Sequence, residues 1–599
     1  MNSIVEAWEQ LSKEYGSRLA LKDESTGFGL SFTELYETIN KTAQILENLN
    51  FKPKSNILLC SNPHPLWHVI DQAIMTNNLV SVLADPTSGL PEIKHLVETM
   101  QIKVLFTDNI KLATELAQEQ LSIHIFYVGA SDISAYKRQN IYSLTEEIKK
   151  VEFKTKQNKE YSPDALASIM FSSGTSGKSK GAMFTHQNLL LSCYDHKTSL
   201  GSTRKKTCVD LLSCSHIAPR LTEWALLLNG NTIIYTNYTK YLKTVQKHKP
   251  EYLICVPKIL NMIIAQYKKE ILKLSKFSQK LNNVAFNISN KHYKLKFKYS
   301  NNIVVKTLSA ILSVCNFVCY KLFIKKIVEK FINPNCLLFA FGAFTDKNIE
   351  NVISAMGLNL MVFYGLTESC VCAAYTSQGH KKAYSVGKTN PNMDVIISDL
   401  ETGQKLGFNK KGMIKVKGKQ VMRGYYNNEE ETKKVFDSQG YLITGDLGYI
   451  SEDGFLYFVG RHKNIIVLNN GENIDSVKIE LICNNSNFVQ QTVIFGQDKP
   501  YLTAVIVPDK DYILKWANEK NIDINTQDGK NLLKKDIIID INNLIGKDKF
   551  FRWIEQIKDI VIIDEPFSIE NGLMTRKYTV IRTKVYDKYK NLIDNMYKG

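Results

Sequence analysis

Helical and strand patterns take turns along the first 250 residues, and this alternation restricts the fold more than any other feature of the chain. Residues 31–49 (SFTELYETINKTAQILENL) place apolar side chains at three-and-four spacing, and residues 56–60 (NILLC) form a short apolar run. Residues 66–75 are helical again, 79–83 return to a strand pattern, and a helix over 93–100 and a strand over 104–106 continue the series. Repeated helix–strand alternation predicts an α/β architecture with largely parallel sheets. At 599 residues the chain exceeds what one core organises, so two or more domains are expected.

Apolar residues make up 44% and charged residues 23%, which excludes a disordered chain. The net charge of +17 has two readings. It is a field that favours phosphates, acidic membrane surfaces, nucleic acid or an acidic carrier protein, or it is the codon bias of an AT-rich genome. No base-stacking or groove-reading motif accompanies it, so nucleic acid is not an expected partner. Eleven cysteines lack paired CxxC spacing, and buried free thiols in a reducing compartment are expected. Cys315 and Cys319 share a helix face. Residues 1–21 hold early acids and no apolar run, unlike a secretory signal. That leaves the cytoplasm as the default compartment, with a plastid that encodes the chain itself as the alternative.

Lysines recur through residues 266–330, opposed only by Glu270 and Glu329. Interleaved apolar residues make this stretch read as basic amphipathic helices, either a solvated insertion or helices able to lie on an anionic membrane. Within it, 307–320 (TLSAILSVCNFVCY) is nearly uncharged. It is shorter than the ~20 residues a membrane span needs, so a buried or interfacial helix is expected.

The sharpest local signal is 169–188, IMFSSGTSGKSKGAMFTHQN. An apolar strand feeds a run of Ser, Thr, Gly and Lys, whose small residues let backbone N–H groups close around phosphate oxygens. Ser173, Gly174, Thr175, Ser176, Gly177 and Lys178 are the candidate nucleotide-binding residues, with Lys180 as a further cation. This is not a Walker loop, which would need glycine where Ser172 stands.

Residues 172–181 resemble the signature loop T-S-G-T-T-G-x-P-K-G of the adenylate-forming superfamily, which includes acyl-CoA synthetases and luciferases; Ser179 replaces the proline and Lys180 matches the lysine. Further stretches follow in the family's order. In 363–369 (FYGLTES) the resemblance implies that Tyr364 and Gly365 lie near adenine, Thr367 contacts phosphate and Glu368 holds magnesium, with Thr175 as the second metal residue. A carboxylate oxygen suits a hard cation bridging ATP phosphates. Gly342, after Phe341, matches an adenine-side glycine segment whose first glycine is Phe341 here. In 440–448 (GYLITGDLG), Asp446 fits the aspartate that accepts both ribose hydroxyls. In 459–480, Arg461 matches a nucleotide-contacting arginine, Lys463 takes the hinge position, and Gly471–Ile474 with Glu480 resembles long-chain members. In 213–219 (SCSHIAP), His216 matches a family histidine that gates the acyl pocket or contacts the carboxylate, or else is structural.

The resemblance spans nearly the whole chain. Residues 69–80, 234–237, 255–258 and 565–572 are similar to cyanobacterial and plastid acyl–acyl-carrier-protein synthetases. It implies an adenylate-forming N-terminal domain over 1–460, with an insertion at about 264–330, and a smaller mobile α/β domain over 461–599. The implied reaction joins ATP, with Mg2+, to a long-chain fatty acid as acyl-AMP. The acyl group then passes to the phosphopantetheine thiol of CoA or acyl carrier protein. One position departs from the pattern: in 571–582 (NGLMTRKYTVIR) the family's catalytic lysine aligns with Thr579, and Lys577 stands two residues earlier. Either Lys577 replaces it, or the chain is a non-catalytic acyl/AMP-binding paralogue.

Overall fold

The computed structural model describes residues 3–598 except 120, 130–139, 155–160, 173–179, 202–203, 297–302, 342–346, 372, 378–380, 548–551, 569 and 575–579. The chain folds as two compact units. The larger comprises Met1–Ser172, Ser179–Thr444 and Tyr449–Phe458; the smaller comprises Val459–Gly599 with Gly445–Gly448.

Two sheets organise the larger unit. In the eight-stranded sheet, Val80–Leu83, Asn56–Cys60, Val104–Thr107, His124–Tyr127 and Ile141–Ser143 run parallel to β1 (Leu166–Ser172). Beyond β1, β2 (Lys180–Thr185) pairs antiparallel to it. The nine-stranded sheet runs parallel from Leu19–Asp23 to β3 (Asn359–Tyr364), with short antiparallel strands at both edges. Most parallel strands are buried along their whole length, as strands covered on both faces must be. The expected α/β class holds in both sheets.

Helix boundaries follow the local chemistry. Helix Phe32–Asn48 starts at Ser31, whose hydroxyl accepts from the Glu34 N–H while the Glu34 carboxylate accepts from the Ser31 N–H at 2.7 Å, a capping box. Helices α1 (Pro65–Thr76) and α2 (Ile217–Leu227) are buried on every side. Both nevertheless carry charge: Asp71 on α1, Arg220 and Glu223 on α2.

The basic stretch is helical. After helix Pro257–Leu272 come α3 (Lys276–Lys296) and α4 (Ile303–Cys319), a π-turn over Tyr320–Ile324 and a short helix Lys325–Val328. Helix α4 is not buried: Ile311, Val314, Phe317 and Val318 are exposed. Cys315 is exposed too and Cys319 half-buried, whereas Cys60, Cys193, Cys208 and Cys370 are buried thiols. No described helix is long and apolar enough to cross a membrane.

The smaller unit builds a three-stranded sheet in which Leu502–Pro508 lies between antiparallel Val489–Phe495 and parallel Ile557–Ile562. Helices Ser476–Cys483, Lys510–Lys520, Gln527–Lys547 and Arg582–Asn595 accompany it.

Candidate functional site

Strand β1 delivers the Gly/Ser/Thr loop, and a buried ionic network holds it. Arg220 donates from Nε and Nη2 to the two oxygens of Asp71 at 3.0 and 2.8 Å, and from Nη1 to the Ser168 hydroxyl of β1 at 2.9 Å. Ser168 donates to the Ser81 carbonyl and Ser81 to Asp71. A fully buried guanidinium is stable only with such bidentate pairing. Register places Ser172, the last residue of β1, opposite Lys180, the first of β2. Residues Ser173 to Lys178, all candidate nucleotide contacts, lie outside the described residues. Gly181 packs closely against β1: an added Cβ would sit 2.8 Å from Ile169 Cγ2. Thr185 then caps helix His186–Leu200, accepting from the Asn188 N–H.

Lys180 opens β2 half-buried, beside a short edge strand. Strand β4 (Gly424–Tyr425) pairs antiparallel with β2, placing Tyr425 opposite Ala182. The Tyr425 ring centroid lies 5.3 Å from Lys180 Nζ, while its hydroxyl donates to Glu368 Oε1 at 2.8 Å. The Met422 N–H donates to the Glu368 carbonyl, also at 2.8 Å. Burial and the Glu368 charge push the Tyr425 hydroxyl well up, so it remains a donor at any working pH. Helix α5 (Glu429–Val435) follows β4, capped by the Asn428 side chain. Its Glu431 is in direct ion-pair contact with Lys180. Bonds from Lys180 and Lys434 hold the Glu431 carboxyl down at about 2. Lys180 and Glu368, 188 positions apart in the chain, therefore flank one tyrosine. Tyr425 and Glu431 were not singled out in the sequence; their signal was the segment GYYNNEEET at 424–432.

Glu368 and Thr367 sit half-buried on a single 3-10 turn, Thr367–Ser369, closed by the Ser369 hydroxyl accepting from the Leu366 N–H at 2.9 Å. Half-buried Gly365 joins this turn to Tyr364, the buried last residue of β3, whose ring lies 6.1 Å from that of Phe458. Beside it, Phe341 stacks on Phe363 at 4.7 Å, and both stack on His196. Burial holds the His196 imidazole down at about 4, so it stacks neutral. An aromatic wall thus occupies the position where the family pattern begins with glycine; Gly342 itself lies outside the described residues.

His216 caps the N-terminus of α2, half-exposed, with Nε2 3.7 Å from Asp85 Oδ2. Two turns on, Glu223 Oε2 accepts from His68 Nε2 at 2.5 Å, Tyr235 at 2.7 Å and Cys214 at 3.3 Å. The Trp224 indole N–H donates to His68 Nδ1, which fixes the tautomer. His68, Cys214 and Glu223 are the one cluster spaced for a metal among the described residues, but both His68 nitrogens and Glu223 Oε2 are engaged with neighbours. This cluster locks α2 in place.

In the smaller unit, Gly445 turns the chain at φ +73° and presents Asp446. The Asp446 carboxylate is buried, with Arg461 Nε 3.2 Å from Oδ1; the Arg461 side chain is half-exposed. A buried carboxylate beside an accessible guanidinium can accept hydroxyl donors and attract phosphate. Lys463 is exposed on the 3-10 turn His462–Asn464. Glu480 Oε1 accepts from Arg582 Nη2 at 2.6 Å and the Ile494 N–H at 2.9 Å. Arg582 opens the C-terminal helix, and Met574 bridges Val580. Lys577 and Thr579, between those bridge residues, lie outside the described residues.

Two family models match the chain. "AMP-binding enzyme" covers residues 8–426 and "AMP-binding enzyme C-terminal domain" covers 463–599. The chain is 27% identical over 647 aligned positions to "Probable acyl-activating enzyme 16, chloroplastic" of Arabidopsis thaliana, spanning all of this chain and 89% of that protein. It is 26% identical to the Arabidopsis "Long-chain-fatty-acid--[acyl-carrier-protein] ligase AEE15, chloroplastic", over 99% and 86% of the two. Among solved structures, the adenylation domain of a carboxylate reductase from Mycobacterium chelonae superposes with a TM-score of 0.77 at 19% identity, over 100% of this chain and 91% of that one. With most of its length matched by the family's two models, the chain belongs to the AMP-binding enzyme family.

Proposed function

We propose that this protein uses ATP to activate a long-chain fatty acid and passes the acyl group to a phosphopantetheine thiol, on acyl carrier protein or CoA. The observation that carries the reading is the placement of Lys180, the first residue of β2, and Glu368, on the turn after β3, on either side of Tyr425. A cation and a hard carboxylate oxygen that both approach one tyrosine side chain suit a triphosphate and its Mg2+. The names of the two Arabidopsis relatives support a fatty acyl substrate and a plastid location.

In the first step a fatty carboxylate oxygen forms a bond to the α-phosphorus while the bond to the β-phosphate oxygen breaks. The products are acyl-AMP and pyrophosphate. Lys180 leaves Glu431 to neutralise charge on the phosphates, Glu368 provides the oxygen that holds Mg2+, and Asp446 accepts the ribose hydroxyls beside Arg461. His216 borders the acyl entrance. Lys577 supplies the remaining cation in place of Thr579. In the second step, after the smaller unit turns about Lys463, the thiol sulfur attacks the acyl carbon. AMP leaves and the thiol proton passes to solvent.

Thioester formation tests this. Purified protein is incubated with ATP, Mg2+, palmitate, and either CoA or holo-acyl carrier protein, and products are read by mass spectrometry. The reading predicts acyl thioester with one acceptor and stoichiometric AMP. Tight AMP binding with no thioester on either acceptor would overturn it in favour of a binding paralogue.

A further inference from the structure

Helix α4 carries its apolar side outward. Ile311, Val314, Val318 and Leu322 follow one another along one side from α4 into the π-turn, with Phe317 alongside, and all are between 47% and 67% exposed. Asn316, on the opposite side, accepts at Oδ1 from the Ser289 hydroxyl of α3 at 2.5 Å, and half-buried Cys319, Tyr320 and Phe323 pack on the core. A solvated helix orients its faces the other way. Five large apolar side chains in one patch are at the upper end of what monomeric proteins expose.

Exposed lysines accompany this patch on the same helices and just after them. On the exposed side of α3, Lys276, Lys280 and Lys291 alternate with exposed Phe277 and Val284. Lys321 and Lys326 follow α4, and Lys321 Nζ lies 5.8 Å from the Phe317 ring centroid, the posture of a lysine whose stem covers apolar surface while its head stays in water. The two acids of residues 257–330 are already engaged: Glu270 with Lys273, Glu329 with Lys325.

We propose that the outward face of α3–α4 docks on an anionic lipid bilayer, with the Ile311–Leu322 side chains among the outer acyl segments and the lysines on headgroup phosphates. Basic, apolar-faced helices bind interfaces in this way. A second copy is a poorer occupant, because a two-fold interface would set these lysines against themselves. The inference stands on exposure and charge and is independent of the proposed reaction.

Flotation of the full-length protein with phosphatidylcholine vesicles, with and without phosphatidylglycerol, tests it. Binding should require phosphatidylglycerol and weaken with salt. Val314→Asp/Val318→Asp should cut partitioning at least about ten-fold, since each carboxylate must be desolvated to insert. Lys276→Glu/Lys280→Glu should cut it further, about five-fold for each lysine lost. All these positions are exposed, and an unchanged melting temperature would confirm that each variant folds. Equal flotation with neutral vesicles, unchanged binding by both variants, or no flotation at all would overturn the proposal. So would a dimer that Val314→Asp/Val318→Asp dissociates without any vesicle binding.

Discussion

Replacing Arg220 with methionine removes the cation that holds β1. The Asp71 carboxylate, fully buried, loses two donors at 3.0 and 2.8 Å and keeps the Ser81 hydroxyl at 2.7 Å. Breaking a buried pair by removing one partner costs about 3–5 kcal/mol, because the remaining charge is uncompensated. A folding unit of ~450 residues unfolds with an entropy near 1 kcal/mol/K at about 2.1 cal/mol/K per residue, so the melting temperature of the larger unit should fall by about 3–5 °C. Arg220→Met/Asp71→Asn should recover at least about 2 kcal/mol of that loss, a coupling expected only of groups in contact. Arg220 Nη1 also bonds Ser168 on the strand that leads to Lys180, so the single variant should raise the KM for ATP. Differential scanning fluorimetry of the four proteins of the cycle reads the stability term. A shift under 1 °C for Arg220→Met, or strict additivity, would refute the claim that this pair holds the strand.

Glu431→Gln should lower the KM for ATP without abolishing turnover, since Lys180 no longer has to leave an anion; steady-state kinetics at varied ATP checks this. Tyr425→Phe removes the hydrogen bond on Glu368, and half-maximal activity should need up to about ten-fold less Mg2+, the value of a bond to a charged acceptor. Lys577→Ala should slow adenylation by about 10²–10³-fold, while Thr579→Lys in that background should restore much of it, as measured by single-turnover acyl-AMP formation. His68, His186 and His196 are held near 4 by burial, against about 6.5 when unfolded. Their folded values are depressed, so the unfolded chain binds the extra protons. Stability is full above about pH 6.5 and is lost as pH falls toward 4. His196→Gln should therefore shallow the stability–pH slope between those limits by up to about 1.4 kcal/mol per unit, read from denaturant melts at several pH values.

Much of the fold was legible. The strand read at 56–60 is Asn56–Cys60, and the helix read at 66–75 is Pro65–Thr76, because periodicity and proline placement act locally. The helix read at 31–49 begins one residue later because Ser31 is its cap. The partners of the site residues were not legible. Lys180 meets Glu431 across 251 positions and Glu368 meets Tyr425 across 57, contacts made by strand pairing between β2 and β4 that no local pattern encodes. Asp71 and Arg220 sit in apolar helices where a charge ordinarily marks the solvent side; their burial depends on each other, 149 positions apart. The outward apolar side of α4 was half legible: its composition admitted a buried or an interfacial helix, and the Asn316–Ser289 bond turns the polar side in.

Exchange of labelled pyrophosphate into ATP is the most direct measurement, because it reports adenylation without any thiol acceptor. With palmitate and Mg2+ present, exchange should appear, vanish when the fatty acid is omitted, and fall at least about a hundred-fold in Lys180→Ala and in Glu368→Gln. Exchange that ignores the fatty acid, or that survives both substitutions, would contradict the assignment of these two side chains to the phosphates of ATP.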